Sequence, residues 1–142
     1  MMLTVIVAIT LFIFGNSLLG YNTSHNTSDA VSDLILPDAY SRDETALLII
    51  RKAAHLIEYA ALGLAVMLFA EYVNRTYGKK LYGTALFYVL FVPVLDEYIQ
   101  SFSDRTSSIG DVLLDFLGAL LGFALLFLMR LMCSKGKTRK PH

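Results

Sequence analysis

Charged side chains sit inside stretches of this chain that are otherwise apolar, and their types and spacing suit a small set of chemistries. Arg51, Lys52, His55 and Glu58 crowd the first half of one stretch. Asp96, Glu97 and Gln100 close a second, and Asp111 and Asp115 open a third. Arg51, His55, Glu58 and Leu62 fall at offsets of 4, 7 and 11, which is one side of a helix. Asp96 and Gln100 form an i,i+4 pair, and Asp111, Asp115, Gly118 and Gly122 repeat the 4, 7, 11 pattern. Guanidinium and ammonium groups hold phosphate, while carboxylates orient amides and hydroxyls. One imidazole with several carboxylate oxygens also suits a divalent cation, with His55, Glu58 and Asp96 as weak candidate donors. Clustered carboxylates can work as general acids or bases, but no nucleophile motif accompanies them. Ser107 and Ser108 beside Arg105 carry no such signature. Cys133 is the lone cysteine, which excludes a disulfide framework or a cysteine-based zinc site within one chain.

The elements that must position these groups are four apolar spans, at about residues 3–19, 46–73, 81–99 and 109–132. Each approaches the roughly 20 residues that a helix needs to cross a hydrocarbon core. Of the 142 residues, 56% are hydrophobic and 17% charged, whereas soluble domains carry nearer a quarter charged. That balance excludes an ordinary soluble enzyme. Twelve basic and twelve acidic residues cancel, so nothing in the global charge points to nucleic acid. Strand alternation is absent, and lipid admits only helices or closed barrels. The expected fold is all-α: a polytopic membrane protein with a bundle of four transmembrane helices, one domain over 1–142. Residues 133–142 form a basic tail, and no internal repeat is visible. The first span has no Lys or Arg ahead of it, so it is expected to be a retained helix rather than a cleaved signal.

Short-loop charge sets the orientation. Arg75, Lys79 and Lys80 make the 74–80 connection basic, and Lys135, Lys137, Arg139 and Lys140 do the same for the tail. The 21–50 segment is acidic, with Asp29, Asp33, Asp38, Asp43 and Glu44 against Arg42. Both termini are therefore expected in the cytoplasm, with 21–50 and 100–110 outside. Counting about 1.5 Å per residue then brings the ionisable groups of three spans to one depth, beneath the outer leaflet. The cytoplasmic halves are read as almost purely apolar. Tyr59, Tyr72, Tyr77, Tyr82 and Tyr98 are expected in the interfacial belt, and Pro93 at a kink. The face of Gly118 and Gly122 should admit a neighbouring helix closely, which turns the preceding acids into the bundle rather than toward lipid. A structural salt-bridge cluster competes with a functional one. Ionisable groups are costly within a membrane, and function is the expected reason for keeping them.

The run from Arg51 and Lys52 through His55, Glu58, Tyr59, Leu62 and Gly63 resembles the K-x-x-H-x-x-E-Y-x-x-L-G signature of the VanZ-like family. Asp96, Glu97, Gln100 and Phe102 are similar to that family's D-E-x-x-Q-x-F. Arg105, Ser108, Asp111, Asp115, Gly118 and Gly122 are similar to its R-x-x-S-x-x-D-x-x-x-[DN]-x-x-G-x-x-x-G, and Phe14-Gly15-Asn16-Ser17 fits the first helix of short members. Ile99 stands where many members carry a His, and Asp104 where they carry a Gly, so the resemblance implies no two-His metal site here. It does imply a bacterial integral membrane protein, associated by its named member with teicoplanin and lipoglycopeptide resistance.

These observations lead to two functional expectations. The first is a binding module of the bacterial cytoplasmic membrane with a polar pocket facing the outer leaflet. Its partners would be membrane lipid, a lipid-linked peptidoglycan precursor or a glycopeptide antibiotic. Arg51, Lys52, His55, Glu58, Asp96, Glu97, Gln100, Arg105, Ser107, Asp111 and Asp115 would form the pocket, with Arg105 as anion contact or as clamp between two helices. No cofactor is required, although a divalent cation is compatible with the donors. The alternative is a membrane enzyme, a metal-assisted hydrolase or an acid–base transferase acting on a lipid head group. Proton-coupled transport needs a polar path to the cytoplasm, and the polar residues stop halfway.

Overall fold

The computed structural model describes residues 1–18, 44–102 and 108–137, with backbone alone for Glu44, Ala46, Leu47 and 133–137. The acidic 21–43 loop, Arg105, Ser107 and the end of the basic tail lie outside the described residues. Four helices account for nearly all of what is described: α1 (Met2–Leu18), α2 (Glu44–Tyr77), α3 (Tyr82–Gln100) and α4 (Ile109–Lys137). No strand occurs among the described residues.

Length decides what each helix can span. At about 1.5 Å per residue, the 34 residues of α2 and the 29 of α4 exceed a hydrocarbon core of about 30 Å, so their ends protrude. Helices α2, α3 and α4 are long and apolar enough to cross a membrane, and α1 is an apolar helix of 17 residues. Their surfaces invert the soluble pattern. Leu113, Leu117, Leu121 and Leu125 recur every four residues along α4 and are 48–61% exposed, whereas Asp115, Ala119, Gly122 and Leu126 face inward. A leucine stripe outside and a carboxylate inside suit an apolar solvent.

The most extensive pairing is α2 against α4. It rests on glycines that bring two backbones together. A Cβ on Gly118 would lie 2.6 Å from the Leu56 carbonyl oxygen, and one on Gly122 would strike the carbonyl oxygen of Ala60. From the other side, a Cβ on Gly63 would strike the carbonyl of Ala119. Such close approach maximises dispersion contacts where no hydrophobic effect drives association. Helix α1 packs against α2 and α3 and runs parallel to α3: Thr10 bonds Tyr88 hydroxyl to hydroxyl at 2.9 Å, and Gln100 donates to Ser17 further along. The core between the helices contains Ile13, Leu62, Val89 and Val92, all essentially inaccessible. Helix α3 continues without interruption through the buried Pro93.

Gly78 ends α2. Its φ of +68° is a left-handed conformation that glycine adopts without strain, and its amide closes the turn by donating to Asn74 O at 2.9 Å. Helix α2 therefore runs four residues past the expected end at Val73.

Two expectations require correction. Tyr59 is not an interfacial belt residue: it is fully buried, because it lies one turn beyond His55 on the face that α4 covers. Tyr72, Tyr77, Tyr82 and Tyr98 are exposed. The end of the bundle near Gly78 is not purely apolar either. Glu71 on α2 is 5% exposed and ion-paired with Arg130 on α4, which joins the long helices at that end.

Candidate functional site

Every helix contributes polar groups to the opposite end of the bundle, where α1 and α3 finish and α2 and α4 begin. Asn16 and Ser17 arrive on the last turn of α1. The Asn16 side-chain amide donates to Glu58 at 3.0 Å, and the buried Ser17 hydroxyl accepts from Gln100 Nε2 at 3.3 Å. The same Gln100 nitrogen donates to Asp96 Oδ2 at 3.0 Å, the contact expected of an i,i+4 pair. A chain Ser17–Gln100–Asp96 thus fixes a carboxylate that is inaccessible to solvent.

Helices α2 and α4 supply the other wall. Their long pairing aligns His55 with Asp115, which approach to 3.9 Å between Nδ1 and Oδ1, and Asp115 is 3% exposed. One turn nearer the helix ends, Lys52 pairs with Asp111 at 2.9 Å, with both side chains partly exposed. Ser108 caps α4: its hydroxyl accepts from the Gly110 amide at 3.1 Å, while its own amide donates to Glu97. Asp111 lies in the first turn of the same helix.

These contacts form two layers. The outer layer is a rim of Arg51, Lys52 and Asp111. Together with His55, Gln100 and Asp115 it lines a narrow vestibule of about 20 Å³, room for about one water molecule. Beneath it lies an inner layer of the half-buried His55 and the buried Asp96, Asp115 and Tyr59. Each of the first three offers one donor atom within 4.8 Å of the others. Among the described residues, Asp96 Oδ1 and Glu58 Oε2 have no close hydrogen-bond donor, and the Tyr59 hydroxyl lies beside Asp96 with at most a loose bond to it.

The structure thus gathers Arg51, Lys52, His55, Glu58, Asp96, Glu97, Gln100, Asp111 and Asp115 at one end, and Gly118 and Gly122 in the seam below them. Among the weak metal candidates, Glu58 is turned toward Asn16, and Asp115 takes its place in the convergent set. The geometry also adds Asn16, Ser17, Tyr59 and Ser108. Asn16 and Ser17 were detectable as an adjacent polar pair near the end of the first apolar span, at the depth of the other polar groups. Tyr59 was detectable by its spacing from His55.

Rim cations suit an anion held at the surface, whereas the inner donors suit a small cation. The vestibule between the described residues has room for about one water molecule. Comparison with curated proteins and with solved structures yields no match. The family described as VanZ/LLP1 does match, over residues 2–130, from the start of α1 to the Arg130 that pairs with Glu71. With nearly all of its length inside that match, the chain belongs to the VanZ/LLP1 family.

Proposed function

We propose that this VanZ/LLP1 protein lies in the bacterial cytoplasmic membrane with both termini inside and binds the phosphate-bearing head group of a lipid-linked envelope precursor at the outer leaflet. The observation that carries this reading is the layered site. Arg51 and Lys52 stand at the mouth, where a head group would arrive, over a vestibule with room for about one water molecule. A guanidinium and an ammonium side by side favour phosphate through charge-assisted hydrogen bonds. Occupying such a precursor would lower its availability to glycopeptide and lipoglycopeptide antibiotics, the resistance phenotype that the family resemblance implies. A second reading, an enzyme acting on the same head group, is favoured by the convergence of His55, Asp96 and Asp115.

The test compares lipid binding in nanodiscs by native mass spectrometry, using undecaprenyl phosphate and undecaprenol. The expected result is retention of the phosphate alone, reduced at least tenfold in Arg51→Ala. Equal retention of both lipids would refute phosphate recognition.

A further inference from the structure

The inner layer carries more than the rim explains. Asp96 and Asp115 come from different helices and lie in the membrane-spanning part of the bundle, 0% and 3% exposed. Lys52, a basic group on the same side, is engaged with Asp111 at the rim. Two carboxylates in such a place are neutralised either by a proton or by a counter-charge, because desolvated and uncompensated charge is expensive, and His55 is the nearest basic group.

The donor geometry has a definite scale. An ion with ligands at about 2.1 Å sets adjacent donors about 3.0–3.4 Å apart and opposite donors about 4.2 Å apart. His55 Nδ1 and Asp115 Oδ1 are separated by 3.9 Å, and all three donor atoms fall within 4.8 Å. Side-chain adjustments below about 1 Å would close the set.

Outer partners already orient the carboxylate at the centre. Gln100, itself bonded to Ser17, holds Asp96 Oδ2, which leaves Oδ1 as the oxygen with no close donor among the described residues. Hydrogen-bonded support of this kind is what aligns a carboxylate ligand in metal sites. The Tyr59 hydroxyl gives an independent sign. It belongs to a fully buried residue on the α2 face bearing His55, and it lies beside Asp96, close enough for a loose hydrogen bond, and near Asp115. Access reaches two of the three donors, since His55 and Asp115 line a vestibule the size of one water or one ion.

We infer that His55, Asp96 and Asp115 hold one divalent first-row metal ion beneath the Arg51–Lys52 rim, with the Tyr59 hydroxyl beside it. Two carboxylates and a neutral imidazole sum to −2, so the ion makes the inner layer neutral. The mixed nitrogen and oxygen set suits Mn²⁺ or Zn²⁺, and two carboxylates to one imidazole favour the former. The site goes beyond the proposed head-group reading and does not depend on it. Should both hold, a phosphate at the rim would face the ion through the vestibule.

The test uses the full chain in detergent without phospholipid, titrated with Mn²⁺ and followed by electron paramagnetic resonance. Wild type is expected to bind one equivalent, displaced by Zn²⁺, with a nitrogen coupling from the imidazole. Asp115→Asn should weaken binding at least tenfold, and His55→Gln should remove the nitrogen coupling. Glu71→Gln, at the far end of the bundle, should bind within about threefold of wild type. All variants are compared as monodisperse helical protein, and His55→Gln serves alone if Asp115→Asn does not fold. Folded wild type without saturable Mn²⁺ or Zn²⁺ binding would overturn the inference. So would wild-type affinity and nitrogen coupling in His55→Gln. A failure here with lipid retention intact removes the metal and leaves the head-group reading standing.

Discussion

Replacing Gly118 or Gly122 by Ala should loosen the seam that sets the two walls of the site. A Cβ on Gly118 would meet Leu56 O at 2.6 Å and Tyr59 Cβ at 3.2 Å. Carbon–oxygen contacts ordinarily begin near 3.3 Å, so α2 and α4 must part by about 0.7 Å. At Gly122 the new carbon would strike Ala60 O and lie 2.7 Å from Leu64 N. Both neighbours are backbone atoms, which cannot rotate away. Overpacking of this kind costs about 1–3 kcal/mol, against a gain of about 1 kcal/mol in helix propensity. We therefore expect a net loss of up to about 2 kcal/mol for Gly118→Ala and a larger one for Gly122→Ala. Gly15, with nothing within 4 Å of its would-be Cβ, is the control, and Gly15→Ala should be neutral or slightly stabilising. Reversible unfolding in mixed micelles measures all three. The packing argument is wrong if Gly122→Ala unfolds at the same denaturant concentration as Gly15→Ala.

Other consequences follow from individual contacts. Removing Arg130 leaves Glu71 buried without its partner, so Arg130→Ala should destabilise by about 3 kcal/mol, while Glu71→Gln with Arg130→Gln should restore most of the loss in the same unfolding assay. Thr10→Val breaks the bond to Tyr88 and should cost about 0.6 kcal/mol, the usual worth of an interhelical hydrogen bond in a membrane. In a Cys133→Ser background, a cysteine at position 28 should react with an impermeant maleimide on intact cells and one at position 137 should not. The reverse labelling would invert the proposed topology.

Much of the arrangement was legible in the chain because helical period and span length are rigid constraints. An offset of four places Asp96 beneath Gln100, and their hydrogen bond follows directly. The run Asp111, Asp115, Gly118, Gly122 predicts one face, and that face meets α2. Three things escaped. Tyr59 looked interfacial because a tyrosine near a span end usually is, yet its face was fixed by His55 one turn earlier. Glu71 and Arg130 lie on different spans near the basic loop, where each alone reads as a snorkelling or surface charge, and only the α2–α4 crossing brings them together. Glu58 and Asp115 were equivalent candidates for the inner cluster by depth. The choice between them was made by Asn16, which draws Glu58 toward α1, a contact between spans that no single-helix period encodes.

On the proposed reading, the polar end of the bundle binds a ligand and is more than a salt-bridge lock between helices. The most direct measurement is undecaprenyl phosphate affinity and melting temperature taken on the same preparations of wild type and Arg51→Ala. Arg51→Ala is expected to bind at least tenfold more weakly with a melting temperature within about 2 °C of wild type, a shift worth about 0.6 kcal/mol for a chain of this length. Affinity lost only in proportion to folded protein, or left unchanged, would contradict it.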